Sequence, residues 1–292
     1  MDSRLALWAQ TSHNVGQKIL VLGSSPDRKR DDMAAPAIVL IADGDDDPAV
    51  AVALASLSAK LKGLRPDLLV TYGFLSDGKP GVGQSVSKLA ALGSTEIAIV
   101  PLDLVSAMDH SPEISRAQGA VQAANPGVKV VIARPIGPAT ELLNVMDARM
   151  REALHKTNAV EVDALVLGAP EGGDVRGASL LARRARQWAA HHKLPVQLAV
   201  NDLTGRGTAQ AIAALRTQGR RHIAVGSMFL TSGPLFRAHQ QAALKAGAMA
   251  VTQPIEDHDH LVELILARYA FAAMELLDAS FPEDDTPPTD AD

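Results

Sequence analysis

Residues Ala37 to Pro48 read AIVLIADGDDDP, an apolar run of strand character (Ile38, Val39, Leu40, Ile41) that breaks into a short acidic loop. A helix-compatible run, Ala49–Leu64, follows at once. Strand, tight loop, helix is the opening of a parallel α/β sheet, and the loop at the carboxyl end of the strand is where such sheets place their chemistry. A comparable opening recurs at Asp163 to Asp174, DALVLGAPEGGD, again with a helical pattern behind it.

Working outward from these two openings, the pattern alternates. Strands are expected at Ala37–Ala42, Asp67–Gly73, Glu96–Pro101 and Val128–Ala133, with helices at Ala49–Leu64, Pro80–Leu92, Ser111–Ala124 and Pro138–Lys156. A second series places strands near Asp163–Gly168, Pro195–Asn201, His222–Ser227 and Ala248–Gln253, and helices near Arg176–Lys193, Thr208–Gln218, Pro234–Ala246 and Asp257–Leu277. Pro80 and Pro138 are read as first-turn prolines, and Gly93 and Gly127 as turns into strands. Strand and helix alternating at this spacing predict a parallel sheet in each half.

The halves also match in sequence. LAALG ending at Gly93 precedes EIAIV as LRTQG ending at Gly219 precedes HIAV. Pro135-Ile136 with Leu142, Val145, Ala148 and Arg149 is spaced identically to Pro254-Ile255 with Leu261, Leu264, Ala267 and Arg268. The reading is an internal duplication: two tandem α/β units, 36–158 and 159–278, with a cleft between strand ends as the ligand position. Residues 1–35 are expected to be a disordered arm, with Met33 an alternative start, and the acidic, Pro-rich 279–292 a disordered tail.

Composition narrows the function. Hydrophobic residues make up 47% of the chain and aromatic ones only 3%, so the core is aliphatic, as strands covered on both faces require. The absence of cysteine excludes disulfides, thiolate catalysis and Cys-ligated metal, and fits a cytoplasmic protein. A net charge of −5 argues against nucleic acid as partner. No apolar run approaches the roughly 18 residues of a membrane span.

Two loops carry candidate chemistry. Asp43-Gly44-Asp45-Asp46-Asp47-Pro48 is rich in oxygen ligands, but Pro48 and Leu54 stand where a calcium loop needs glycine and glutamate. Part of its charge is expected to cap the following helix. Leu102 to Glu113, LDLVSAMDHSPE, sets Asp109 beside His110, a pair suited to metal ligation or proton transfer, with Asp109 or Ser111 alternatively a helix cap. His191-His192 reads as an ordinary polar helix end, and His258-x-His260 as two rings on different faces of a helix. Arg183, Arg184 and Arg186 read as a solvated helix face.

In the order of its motifs, the chain resembles the class II tetrapyrrole metal chelatases, the sirohydrochlorin chelatase group in its two-unit form. The resemblance rests on IVLIADGDDDP, on YGFLSDGKPGVGQSVSKLAALGSTEIAIVPLDL, on NPGVKVVIARPIGPATELLNVMDARM and, in the second half, on MFLTSGPLF. It implies insertion of Fe2+ or Co2+ into sirohydrochlorin for siroheme or cobalamin synthesis, with no organic cofactor and the metal as substrate. The family's two histidines fall on Asp43 and on Asp109, or on His110 if the loop shifts by one. The resemblance therefore assigns Asp43, Asp109 and His110 as catalytic and metal-holding, and Gly44, Asp45, Ser106, Ala107 and Met108 as substrate-binding. The matching positions of the second half, near Pro170 and Gly233, offer no ligand. Lys79, Arg206 and Arg237 are candidates to meet the substrate's carboxylates. The replaced histidines keep open a degenerate homologue that binds tetrapyrrole or metal as carrier or regulator.

Overall fold

A computed structural model of the chain describes residues 35–43, 47–76, 78–108, 111–159 and 161–278. The expected N-terminal arm and acidic tail lie outside these residues, apart from Ala35. Eight strands and eight helices alternate among the described residues. They are β1 (Ala37–Ala42), α1 (Pro48–Leu64), β2 (Val70–Phe74), α2 (Val82–Ala91), β3 (Glu96–Pro101), α3 (Pro112–Ala124), β4 (Lys129–Ile132) and α4 (Glu141–Lys156). The second series is β5 (Ala164–Pro170), α5 (Val175–His192), β6 (Val196–Asn201), α6 (Arg206–Thr217), β7 (Ile223–Ser227), α7 (Pro234–Lys245), β8 (Ala250–Val251) and α8 (Asp259–Asp278).

The strands form two four-stranded parallel sheets, β2-β1-β3-β4 and β6-β5-β7-β8. The repeated strand order gives each half the same fold, as the alternating pattern predicted. Two compact units result. The first holds Ala35–Ala139, Gly172–Ala178 and 256–278; the second holds Thr140–Glu171 and Ser179–Ile255.

In the first unit, alternate residues of each strand face opposite helix layers, as the two-residue period of a strand requires. Val39, Ile41, Ile97 and Ile99 pack with Val82, Val86 and Leu89 of α2 and Ile114 and Val121 of α3. Helix α1 lies against β2, and α8 against β3, β4 and α1. Tyr269 of α8 donates its hydroxyl to the carbonyl of Pro36 at 2.8 Å, and burial pushes its pKa up to about 12. In the second unit, Val166, Ile223 and Val225 pack with Ile212 and Leu215 of α6 and Ala243 of α7. Helix α4 covers β7 and β8.

Several boundaries differ from the sequence reading for local reasons. Strand β2 starts at Val70, because residues 65–68 form a turn, closed by the Leu68 amide on the Arg65 carbonyl at 3.1 Å and braced by a two-toothed Arg65–Asp67 ion pair at 2.8 and 2.6 Å. Pro80 and Pro138 lie ahead of their helices, whose caps are Gly81 and Thr140. Pro48 does occupy the first turn of α1. Strand β8 is two residues long.

Candidate functional site

The connection order makes the carboxyl ends of β1 and β3 the switch point of the first sheet. One crossover leaves β1 for β2, the next returns past it to β3 on the other side, and no helix connection covers the gap between the two strand ends. Ile41 pairs with Pro101, and the amide of Leu102 donates to the carbonyl of Ile41 at 2.8 Å. The loop that follows β3 therefore leaves the sheet beside Ala42 and Asp43. Both acidic loops emerge at one edge, from neighbouring strands.

Asp43 is exposed immediately after β1. Gly44, Asp45 and Asp46 lie outside the described residues, as do Asp109 and His110. Asp47 caps α1, its carboxylate accepting from the Ala49 amide at 2.9 Å. Ser111 caps α3, its hydroxyl accepting from the Ile114 amide at 3.4 Å. Capping by Asp47 and Ser111 matches the expectation that part of each cluster serves a helix start. Two helix N-termini, each presenting the positive end of its dipole, thus begin directly behind the two loops.

The stretch Leu102–Met108 is held with unusual thoroughness. Asp103 accepts from the amides of Val105 at 2.7 Å and Ser106 at 3.0 Å, and its other oxygen accepts from the Ser106 hydroxyl. Asp174 reaches the same loop from the segment ahead of α5: one carboxylate oxygen accepts from the amides of Ala107 at 2.9 Å and Met108 at 2.7 Å. Its other oxygen accepts from the Gly177 amide at 2.5 Å, capping the first turn of α5. Four consecutive amides, 105 to 108, are thereby bonded to two carboxylates. Of the three described residues assigned to substrate, Ser106 is buried and bonded to Asp103. Ala107 is half-buried, and Met108, 39% exposed, offers its side chain outward.

Backbone approaches complete the clamp. A Cβ on Gly177 would lie 1.8 Å from the Val105 carbonyl oxygen, so only glycine lets α5 begin this close to the loop. Gly137, at φ +69°, brings its own backbone within reach of the Ser106 carbonyl and donates to the Asp103 carbonyl at 2.9 Å. Arg268 of α8 then fixes the neighbouring turn, donating to the carbonyls of Pro135 at 2.8 Å and Ile136 at 3.0 Å. At the same edge, the Leu75 amide donates to the Ala42 carbonyl at 3.1 Å, beside a mostly apolar cavity of about 240 Å³ between Phe74, Val82 and Val121.

Sequence reading missed Asp103 and Asp174. Their signals were present but local: Asp-x-x-Ser is a side-chain turn pattern, and Gly-Gly-Asp ahead of a helix is a cap. Neither pattern announces that both carboxylates serve one loop, because Asp174 lies 66 residues beyond Met108. The reading of His258 and His260 also changes. His258 sits just outside α8, so the two rings stack at 5.5 Å, and His260 pairs with Glu263 at 3.0 Å. Lys79, Arg206 and Arg237 are all exposed, the first beyond β2 and the others opening α6 and α7. Arg183 and Arg186 are exposed as expected, while Arg184 is half-buried, and desolvation with the neighbouring Arg183 charge lowers its pKa. Among the described residues no helix is long and apolar enough to cross a membrane.

Comparison with known proteins bears on the half that carries these loops. The CbiX family model matches residues 37–153. The sirohydrochlorin cobaltochelatase of Sulfurisphaera tokodaii is 29% identical over 89 residues, 30% of this chain and 71% of that protein. The sirohydrochlorin cobaltochelatase of Priestia megaterium is 27% identical over 106 residues, 36% of this chain and 35% of its own length. Among solved structures, SirB from Bacillus subtilis with Fe3+ aligns at TM-score 0.65 and 19% identity, over 83% of this chain and 97% of SirB. CbiX, described as the terminal enzyme of siroheme biosynthesis in denitrifying bacteria, aligns at TM-score 0.57 and 18% identity, over 81% and 99% of the two chains. The matched strands and loops are those whose geometry is set out above: residues 37–153 are similar to the CbiX family, and the two-sheet fold is that of the SirB and CbiX structures.

Proposed function

We propose that this protein inserts a divalent metal ion, Fe2+ or Co2+, into sirohydrochlorin. The observation that carries this reading is the position of Asp43 at the end of β1, beside the clamped loop that follows β3, at the switch point of the CbiX-matched sheet. The cobaltochelatase relatives and the metal-bearing SirB structure support the reaction class.

Insertion removes two pyrrole protons and places one M2+ among the ring nitrogens, so charge balances with release of two protons. Such a site needs a ligand that holds the ion loosely and a base near the ring. Asp43, with Asp109 and His110 from the loop beyond Met108, fills both roles in this proposal. Carboxylate oxygen holds the cation through a largely ionic bond that exchanges readily, and His110 is the better proton acceptor of the three near neutral pH. Gly44, Asp45 and the stretch Ser106–Met108 border the substrate. Asp103 and Asp174 act through the loop as positioning residues, because four anchored amides hold the chain up to Met108. Exposed Lys79, Arg206 and Arg237 are the proposed partners of the substrate's carboxylates. Siroheme or cobalamin synthesis follows from the metal used, in a soluble cytoplasmic setting. The two sequence repeats, as distinct from the interleaved compact units, are proposed to meet near 158–159, the first repeat bearing the reactive loops.

One observation favours a second reading. Asp43 stands where the family resemblance places histidine, which fits a homologue that binds tetrapyrrole or metal without turnover. Asp43→His and Asp109→His, singly and together, separate the two. An aspartate-based enzyme is active before any substitution; a degenerate copy gains insertion activity only in the double variant.

A further inference from the structure

Away from the acidic loops, α4 and α5 bring three metal-ligating side chains of the second unit together. Asp147 lies on α4; His191 and His192 form the last turn of α5. A carboxylate oxygen and the two ring nitrogens all lie within 4.8 Å of one another. His192 Nε2 is 2.8 Å from Asp147 Oδ1, and His191 Nε2 is 3.8 Å from Oδ2. The two imidazoles stand edge to face at 4.6 Å.

The simple alternative is an ion pair at a helix end, and three features go beyond it. First, the same ring atom of two consecutive histidines approaches opposite oxygens of one carboxylate, so a single cation has room to meet all three side chains. A tetrahedral centre with bonds of about 2.0–2.1 Å spaces its ligand atoms roughly 3.3 Å apart. The observed 2.8 and 3.8 Å straddle that value, so sub-ångström side-chain movement suffices for those two pairs. Second, the carboxylate is positioned from behind. The indole N–H of buried Trp188 donates to Asp147 Oδ1 at 2.7 Å, and its ring meets His192 edge-on at 5.7 Å. Trp188 is itself seated over Gly226 of β7, where a Cβ would come within 2.7 Å of the indole. Outer partners of this kind orient metal ligands, and here core packing sets the orientation. Third, the cluster caps the carbonyl end of α5, where the helix dipole favours positive charge.

We infer that Asp147, His191 and His192 form a second-unit binding site for one imidazole-preferring divalent cation of the cobalt, nickel and zinc class. Two nitrogens and one carboxylate disfavour magnesium and calcium, which take all-oxygen sets. The His191 side chain is 51% exposed, so the fourth coordination position opens to water. The site shares no residue with the loops after β1 and β3 and does not depend on the proposed insertion activity.

The test is a titration of metal-free full-length protein with Co2+, following visible absorption and bound cobalt by equilibrium dialysis. His191→Ala and Asp147→Asn are compared with wild type and with Asp43→Ala; the asparagine retains an acceptor for Trp188. Circular dichroism of each metal-free variant confirms that it is folded. The expected result is loss of one cobalt equivalent, or at least a tenfold weaker Kd for it, in both His191→Ala and Asp147→Asn, with that equivalent intact in Asp43→Ala. Unchanged stoichiometry and affinity in the two second-unit variants overturn the inference, as does loss of the nitrogen-ligated spectrum in Asp43→Ala alone.

Discussion

His239 should make the second unit sensitive to mild acid. This α7 residue is fully buried. Its Nδ1 faces Thr208 Oγ1 at 2.7 Å and Asn201 Nδ2 at 3.5 Å, its Nε2 faces Ser227 Oγ at 3.1 Å, and Phe229 covers the ring at 4.8 Å. The ring also fills the space over Gly168, where a Cβ would lie 2.2 Å away. Desolvation lowers its pKa from 6.5 to about 4, so the imidazole is neutral in the folded state at pH 7. Once unfolded, it takes a proton near pH 6.5. The unfolded state therefore binds more protons between those values, and stability is full above about pH 6.5 and falls as the pH drops towards 4. At about 1.4 kcal/mol per pH unit the complete loss is about 3 kcal/mol, of which about 2 kcal/mol has gone by pH 5. The perturbation is His239→Gln, which keeps a polar partner for the network but cannot titrate. Urea unfolding of both proteins from pH 7 to pH 5, read by Trp188 fluorescence in a Trp8→Phe background, isolates the effect, since the other titrating groups are common to both. Wild type should lose about 2 kcal/mol more than the variant over that interval. Parallel stability curves would refute the reasoning.

Two further predictions concern the loop clamp. Asp174→Ala removes the cap of α5 and both bonds to the Ala107 and Met108 amides; it should cost about 1–2 kcal/mol of stability and lower kcat for metal insertion more than it raises KM, with Asp174→Asn recovering part of both, measured by thermal unfolding and steady-state kinetics. Gly177→Ala drives a methyl into the Val105 carbonyl and should cost several kcal/mol or displace the loop, seen as faster proteolytic cleavage within 102–108; a stable, protease-resistant variant would contradict the close approach.

The fold was legible where local chemistry and tertiary demand agree. Ala37–Ala42 is recovered residue for residue, because a run buried on both faces has no other use in an α/β sheet. Strand β8 was not: Val251 and its neighbours carry the strand pattern, but pairing with β7 covers only Ala224–Ala250 and Val225–Val251. Periodicity also says nothing about which sheet a helix covers, and the packing of α4 on β7 and β8 is a tertiary fact. At the candidate site, sequence located the two loops, and the sheet order supplied their adjacency. The carboxylates that clamp the second loop remained hidden because hydrogen bonds across 66 or 67 residues leave no periodic trace. His191 and His192 looked like a routine helix ending for the same reason, since their partner Asp147 belongs to another helix.

The central claim is tested most directly by anaerobic metal insertion: purified full-length protein, sirohydrochlorin and Fe2+ or Co2+, followed by the tetrapyrrole absorbance. The account predicts a rate above the spontaneous background that falls at least tenfold in Asp43→Ala, while His191→Ala inserts metal at the wild-type rate. A background rate with both metals, alongside saturable tetrapyrrole binding, would contradict it and leave a binding protein on a chelatase fold.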